Sequence, residues 1–224
     1  LLKHFEVNSM KGFGLDRLPV GIVAAGVALH YLNETEHRNL QHISNISRIE
    51  EDRYMWLDRF TIRNLELIGS QNENATTLSD VLDETSSPMG ARLLKRWIVM
   101  PLKDVKSINE RLQVVEYFHK HRELREQLIG EIKQVGDLER LISKIGLQKA
   151  NPREISQLKR ALYAVEKLKT LCDVPASESL RVISEQLNPC VLIREKIEST
   201  IQAEPPVALN KGNVIADGVD ADLD

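Results

Sequence analysis

The strongest constraint on this chain is a succession of helix-start signals through its second half. Each is followed by apolar residues at helical spacing. Thr77 stands three residues before Asp80, the pattern of a reciprocal cap on a short helix. Ser87-Pro88 places a capping hydroxyl before a proline in the first turn, and the helix it opens is expected to run to Val99, where Pro101 forbids much continuation. Ser107 and Glu110 read as a capping box ahead of Ile108, Leu112, Val115 and Phe118. Asp137 precedes Leu138, Leu141, Ile142 and Ile145, with Gly146 as a stop. Asn151-Pro152-Arg153-Glu154 is a further capping box. Behind it, Ile155, Leu158, Leu162, Val165 and Leu168 form a stripe about four turns long. Asn188-Pro189 repeats the start signal for a helix through Ile201, which Pro205-Pro206 ends. Such a series predicts a mainly α fold, a multi-helix array with short connections.

The first part of the chain reads differently. Residues 1–18 hold short apolar pieces and the loop Lys11-Gly12-Phe13-Gly14. Pro19 opens an Ala- and Val-rich helix to about Tyr31, with Val20, Val23, Ala24, Val27 and Tyr31 on one face. The polar stretch from Asn33 to Asn45 reads as a linker. Tyr54-Met55-Trp56-Leu57 has the composition of a short buried strand, and a helix is expected from about Asp58 to Leu67.

Composition narrows the function classes. The net charge is −3 over 224 residues, without the basic excess of a domain whose main task is gripping a polyanion. Two cysteines, Cys172 and Cys190, supply neither a zinc set nor a disulfide framework, which fits a reducing compartment. The sequons at Asn33, Asn45 and Asn74 have no companion sign of secretion, and no apolar run is long enough to span a membrane. A cytoplasmic protein is expected. The chain begins at Leu1 and stops after a strand-like Val214-Ile215-Ala216 and a turn at Gly218, so it reads as a segment of a longer polypeptide.

Candidate chemistry is sparse. Gly12-Phe13-Gly14 lacks the third glycine of a dinucleotide loop and the Lys-Ser/Thr of a P-loop. His119 and His121 are two apart, and His37 and His42 are off helical register, so neither pair shares a metal on a helix face. Asp217, Asp220, Asp222 and Asp224 lack the glycine placement and closing glutamate of a calcium loop. No catalytic, cofactor-binding or metal-binding residue is assigned. Arg92, Lys95 and Arg96 share one helix face and form a possible weak contact to a DNA backbone, set against the plainer reading of a solvated face. The structural core is expected at Leu82, Met89, Leu93, Trp97, Leu112, Leu138, Leu141, Leu158 and Leu162.

Several of these motifs, in this order and spacing, resemble the MutS DNA mismatch-repair family. They are Arg63-Asn64-Leu65-Glu66-Leu67, Val81-Leu82-Asp83, Pro88-Met89-Gly90-Ala91-Arg92, Leu94-Lys95-Arg96-Trp97, Ile108-Asn109-Glu110-Arg111-Leu112, Gly136-Asp137-Leu138-Glu139-Arg140-Leu141, Asn151-Pro152-Arg153-Glu154 and Val214-Ile215-Ala216-Asp217-Gly218. Leu1 to Tyr31 is similar to the end of that family's connector domain.

The resemblance implies a small α/β connector remnant at 1–37, a linker at 38–45, and the first half of the core (lever) domain at 46–224, ending before the DNA clamp. It implies a parent protein that binds mismatched double-stranded DNA and ATP with Mg, is a DNA-dependent ATPase and a homodimer, and works with other repair proteins such as MutL. The family's mismatch-reading Phe-x-Glu and its P-loop have no counterpart here. The expected role is therefore a non-catalytic piece, with no cofactor of its own, that couples the DNA-binding and ATPase ends. The alternative is a stand-alone helical scaffold binding protein through the 155–168 stripe.

Overall fold

The computed structural model describes residues 1–35, 40, 41, 43–49, 51–72, 74–174, 176–207 and 212–220. The chain divides into two compact units. One holds Leu1–Glu50 with Arg140–Ala150, and the other Glu51–Glu139 with Asn151–Asp224. The expected linker at 38–45 falls partly outside the described residues, as do His37 and His42.

In the first unit, residues 1–18 are turns around a 3-10 segment, Met10–Phe13. Ser9 caps it, and Gly14 closes it in the left-handed region at φ 69°. Met10 and Leu15 are buried beneath it, the Phe5 and Phe13 rings lie 5.0 Å apart, and His4 Nε2 is 2.8 Å from the Ile43 carbonyl. Helix α1, Pro19–Glu34, follows. Its apolar face is uncovered: Val20, Val23, Val27 and Tyr31 are all exposed. No strand occurs among the described residues of 1–37, so the α/β character expected there is not seen locally.

The second unit is helical, as the capping signals require. Asp58 accepts from the Thr61 amide at 2.6 Å and starts α2, Arg59–Asn64. Thr77 and Asp80 cap each other at α3, Leu78–Leu82. Ser87 accepts from the Gly90 amide and opens α4, Pro88–Val99. The capping box predicted at Ser107 is displaced by one turn. Asp104 is the cap of α5, Val105–Lys120, and Ser107 donates to its carboxylate from both backbone and hydroxyl. Helix α6, Arg122–Val135, follows at once and ends at Gly136, φ 65°. Helix α7, Leu138–Gly146, starts here at Leu138 and Glu139 but belongs from Arg140 onward to the first unit; the second unit resumes with α8, Pro152–Cys172; α9, Glu178–Gln186; and α10, Val191–Thr200.

Helix α8 is the axis of this unit. Its 21 residues make a rod about 31 Å long, at roughly 1.5 Å per residue. Helices α6, α9 and α10 pack on it. Ala161, Leu162, Ala164, Val165 and Leu168 are buried, and such near-consecutive burial means that neighbours cover more than one face. Leu128 and Val135 of α6 join Ala164, Val165, Leu168 and Cys172 in one cluster, with Met89, Phe118 and Leu138 packed at its margin.

Two isolated antiparallel bridges tie loose segments down: Tyr54 with Leu102, and Ile201 with Ile215. The first corrects the expected strand at 54–57. Met55 donates to the Pro101 carbonyl at 2.8 Å, but the pairing stops after one bridge; Met55 and Trp56 are exposed, and Tyr54 and Leu57 are only half-buried.

Candidate functional site

The expected core residues fall into two groups. Leu141 and Leu162 are buried, while Met89 and Leu138 pack half-buried against the central cluster and Leu158 is half-buried on α8. Leu82, Leu93, Trp97 and Leu112 are exposed by between 40% and 56%, which corrects their assignment to the core of this chain. Helical spacing tells which side chains share a face. It does not tell whether a neighbour arrives to cover it. Trp97 carries the Arg111 guanidinium 3.6 Å above its ring, a cation–π contact that hides part of both groups from water.

Of the basic trio on α4, Arg92 is tied to neighbouring carboxylates, while Lys95 and Arg96 are exposed. Arg92 turns its donors onto two carboxylates at the junction of α6 and α7. Nη1 and Nη2 lie 3.0 and 2.7 Å from the two oxygens of Asp137, and Nε and Nη2 lie 3.0 and 2.6 Å from Glu139 Oε2. The fork geometry matches the bidentate carboxylate pairing that only arginine makes. Asp137 first, then Glu139, hold the guanidinium still more firmly in its charged form than usual. Lys95 stands close enough to Asp80 and Asp83 for its charge to help lower both their pKa values, though Thr77 and Thr85 hydrogen bonds do more. Arg96 is exposed in the last turn of α4.

A second polar cluster joins α8 to α10. Arg194 is buried and donates Nη1 to Glu166. Its guanidinium carbon lies 4.0 Å over the Tyr163 ring. Tyr163 in turn donates its hydroxyl to Glu198 at 2.8 Å, and Lys159 stands 3.7 Å from the same carboxylate. The Glu198 hydrogen bond, then burial, raises the Tyr163 pKa, while the Glu166 contact raises that of Arg194. Lys167 of α8 reaches Glu131 of α6 at 3.1 Å. Sequence reading found neither the Arg92 partners nor this cluster. Asp137 was legible only as a helix-start residue, and pairings across 45 residues leave no periodic trace.

Among the described residues no group of three or more His, Cys, Asp or Glu side chains could hold a metal ion. His121 is instead stacked on Tyr117, ring centroids 4.0 Å apart. Asp217 accepts from Gln202 at 2.9 Å, and Asp222 and Asp224 lie outside the described residues. No described helix is long and apolar enough to cross a membrane. What these residues build is a set of helices locked pairwise by apolar packing and by charged side chains reaching from one helix to the next.

Comparison with known proteins agrees with this architecture. A family model described as MutS domain III matches residues 60–221. Proteins named DNA mismatch repair protein MutS match the full length of the chain: 56% identical in Phocaeicola vulgatus, 54% in Bacteroides fragilis and 52% in Parabacteroides distasonis. The chain spans about a quarter of the length of these relatives, 26% in each case. A mainly helical chain matched over most of its length by that model, and over all of it by those relatives, belongs to the MutS family of DNA mismatch-repair proteins and carries its domain III.

Proposed function

We propose that this chain is a non-catalytic transmission element within a longer mismatch-repair protein. Residues 1–37 end a connector domain, 38–45 link it onward, and 46–224 form the first half of the core lever. In the whole protein, mismatched duplex DNA binds at one end and ATP with Mg at the other, and both bias a shared conformational equilibrium. The whole protein is then a DNA-dependent ATPase, a homodimer and a cytoplasmic partner of MutL-type repair proteins, while the helices described above carry the coupling between its ends.

The observation that carries this reading is the build of α8 and its neighbours. A single long helix is gripped by α6, α9 and α10, and the α4 side chain Arg92 is pinned to the α6–α7 junction. Close-packed helices shift between discrete packings and do not deform smoothly, which suits them to transmit a displacement. The test is Leu141→Ala in the full-length protein. Loss of ATP-dependent release from mismatched DNA, or loss of stability, is expected. Neither changing would refute the assignment.

The alternative, an independent scaffold using the 155–168 stripe, has only the half-buried Ile155 and Leu158 left to offer. Leu162, Val165 and Leu168 are already buried within this chain.

A further inference from the structure

Near the start of α8, three residues share one face at spacings of three and four: Arg153, Ser156 and Arg160. Together with Ala203, Glu204 and Pro205 they line a pocket of about 330 Å³. Arg153 is anchored, its Nε donating to the Pro205 carbonyl at 3.1 Å, which leaves its terminal nitrogens for another acceptor. Arg160 is exposed and forms no ion pair among the described residues. Ser156 is 5% exposed and lines the pocket. Along the helix Ser156 falls between the two arginines, and all three line the same pocket. Glu204 lines the same pocket and opposes them in charge.

We propose that this pocket binds a phosphate oxyanion, held by Arg153 and Arg160 with the Ser156 hydroxyl as a third donor. The chemistry is that of guanidinium forks meeting a tetrahedral anion. It is separate from the Arg92 cluster, whose donors are taken by carboxylates. Free phosphate and the phosphodiester of a nucleic acid present the same oxygens, and the experiment separates them.

The test uses the full-length protein containing this chain. Inorganic phosphate binding is followed by phosphorus NMR line broadening, and a short duplex is titrated by fluorescence anisotropy in parallel. Phosphate bound elsewhere in the protein is common to all variants, so differences between variants report this pocket. The double variant Arg153→Gln/Arg160→Gln should weaken phosphate binding by roughly tenfold, and Glu204→Gln should strengthen it by about threefold. A parallel change in duplex affinity identifies a nucleic-acid backbone as the occupant, and a change for phosphate alone identifies a free anion. If the arginine variant fails to fold, Glu204→Gln decides alone. Phosphate affinity unchanged by Glu204→Gln, or by the folded double variant, overturns the proposal.

Discussion

Arg92 and Asp137 face each other fork to fork across 45 residues of chain, with guanidinium nitrogens 3.0 and 2.7 Å from the two carboxylate oxygens. Arg92 is half-exposed and Asp137 mostly covered, so the pair sits at the rim of the helical unit, where water and salt compete with it. Its importance lies in geometry. With the Arg92–Glu139 contact, it ties α4 to the place where α6 ends and α7 begins.

Burial, and not helical spacing, should decide which leucines stabilise the chain. Leu162 is 5% exposed and Leu112 is 56% exposed, although both lie on apolar stripes. Leu162→Ala is expected to cost about 2–5 kcal/mol. Leu112→Ala in this 224-residue chain should cost under about 0.5 kcal/mol, within the range of an ordinary surface change. Urea unfolding of the two variants beside the parent chain measures both. Equal losses would show that the uncovered face of α5 is covered in solution.

Acid should loosen the start of α3. The Thr77 side chain, and then its backbone amide, hold the Asp80 carboxyl below its ordinary value of 3.8. A carboxylate favoured in the folded state stabilises it at pH above the unfolded value, and that stabilisation is lost as pH falls through the lowered folded value. The window therefore lies at and below 3.8. Asp80→Asn should flatten the acid limb of a stability–pH curve in that window and leave the neutral region lower but parallel. An unchanged acid limb would show that the carboxylate has no part in it.

The uncovered apolar faces should make the isolated segment associate with itself. Val20, Val23, Val27 and Tyr31 line one side of α1 and are each at least 62% exposed, and Trp56 and Phe60 are exposed by more than 70%. Contiguous apolar surface of this kind marks an interaction site. Sedimentation velocity over a hundredfold concentration range should show a rising weight-average mass, and Val23→Lys with Val27→Lys should suppress it. A monomer throughout would refute this.

How much of the molecule was legible from its residues depended on how local each signal is. The capping boxes at Thr77 and Asn151 and the proline start at Ser87 are contacts within four residues, and the structure forms all three. The same dipeptide misled at Asn188-Pro189. There Asn188 accepts from the Cys190 amide in a turn, and Cys190 takes a left-handed backbone at φ 45°, so α10 starts only at Val191. Helix α6 was not foreseen, because His121 gives it no side-chain cap and it follows α5 without a break. Helix α9 was missed as well, although Ser177 does cap it. The polar ties Arg92–Asp137 and Glu166–Arg194 were not legible at all, since they depend on which helix faces which. The pocket at Arg153, Ser156 and Arg160 lay within sequence reach as a three-and-four spacing. Its wall at 203–205 did not.

The most direct test of the coupling role is a charge swap in the full-length protein. Arg92→Asp should slow ATP-dependent release from a mismatched duplex while leaving ATP hydrolysis without DNA near its starting rate. The double variant Arg92→Asp/Asp137→Arg should restore release toward the starting rate. Release unaffected by Arg92→Asp in a folded protein, or lost together with DNA-free ATP hydrolysis, would contradict the view that these helices pass movement between two distant sites.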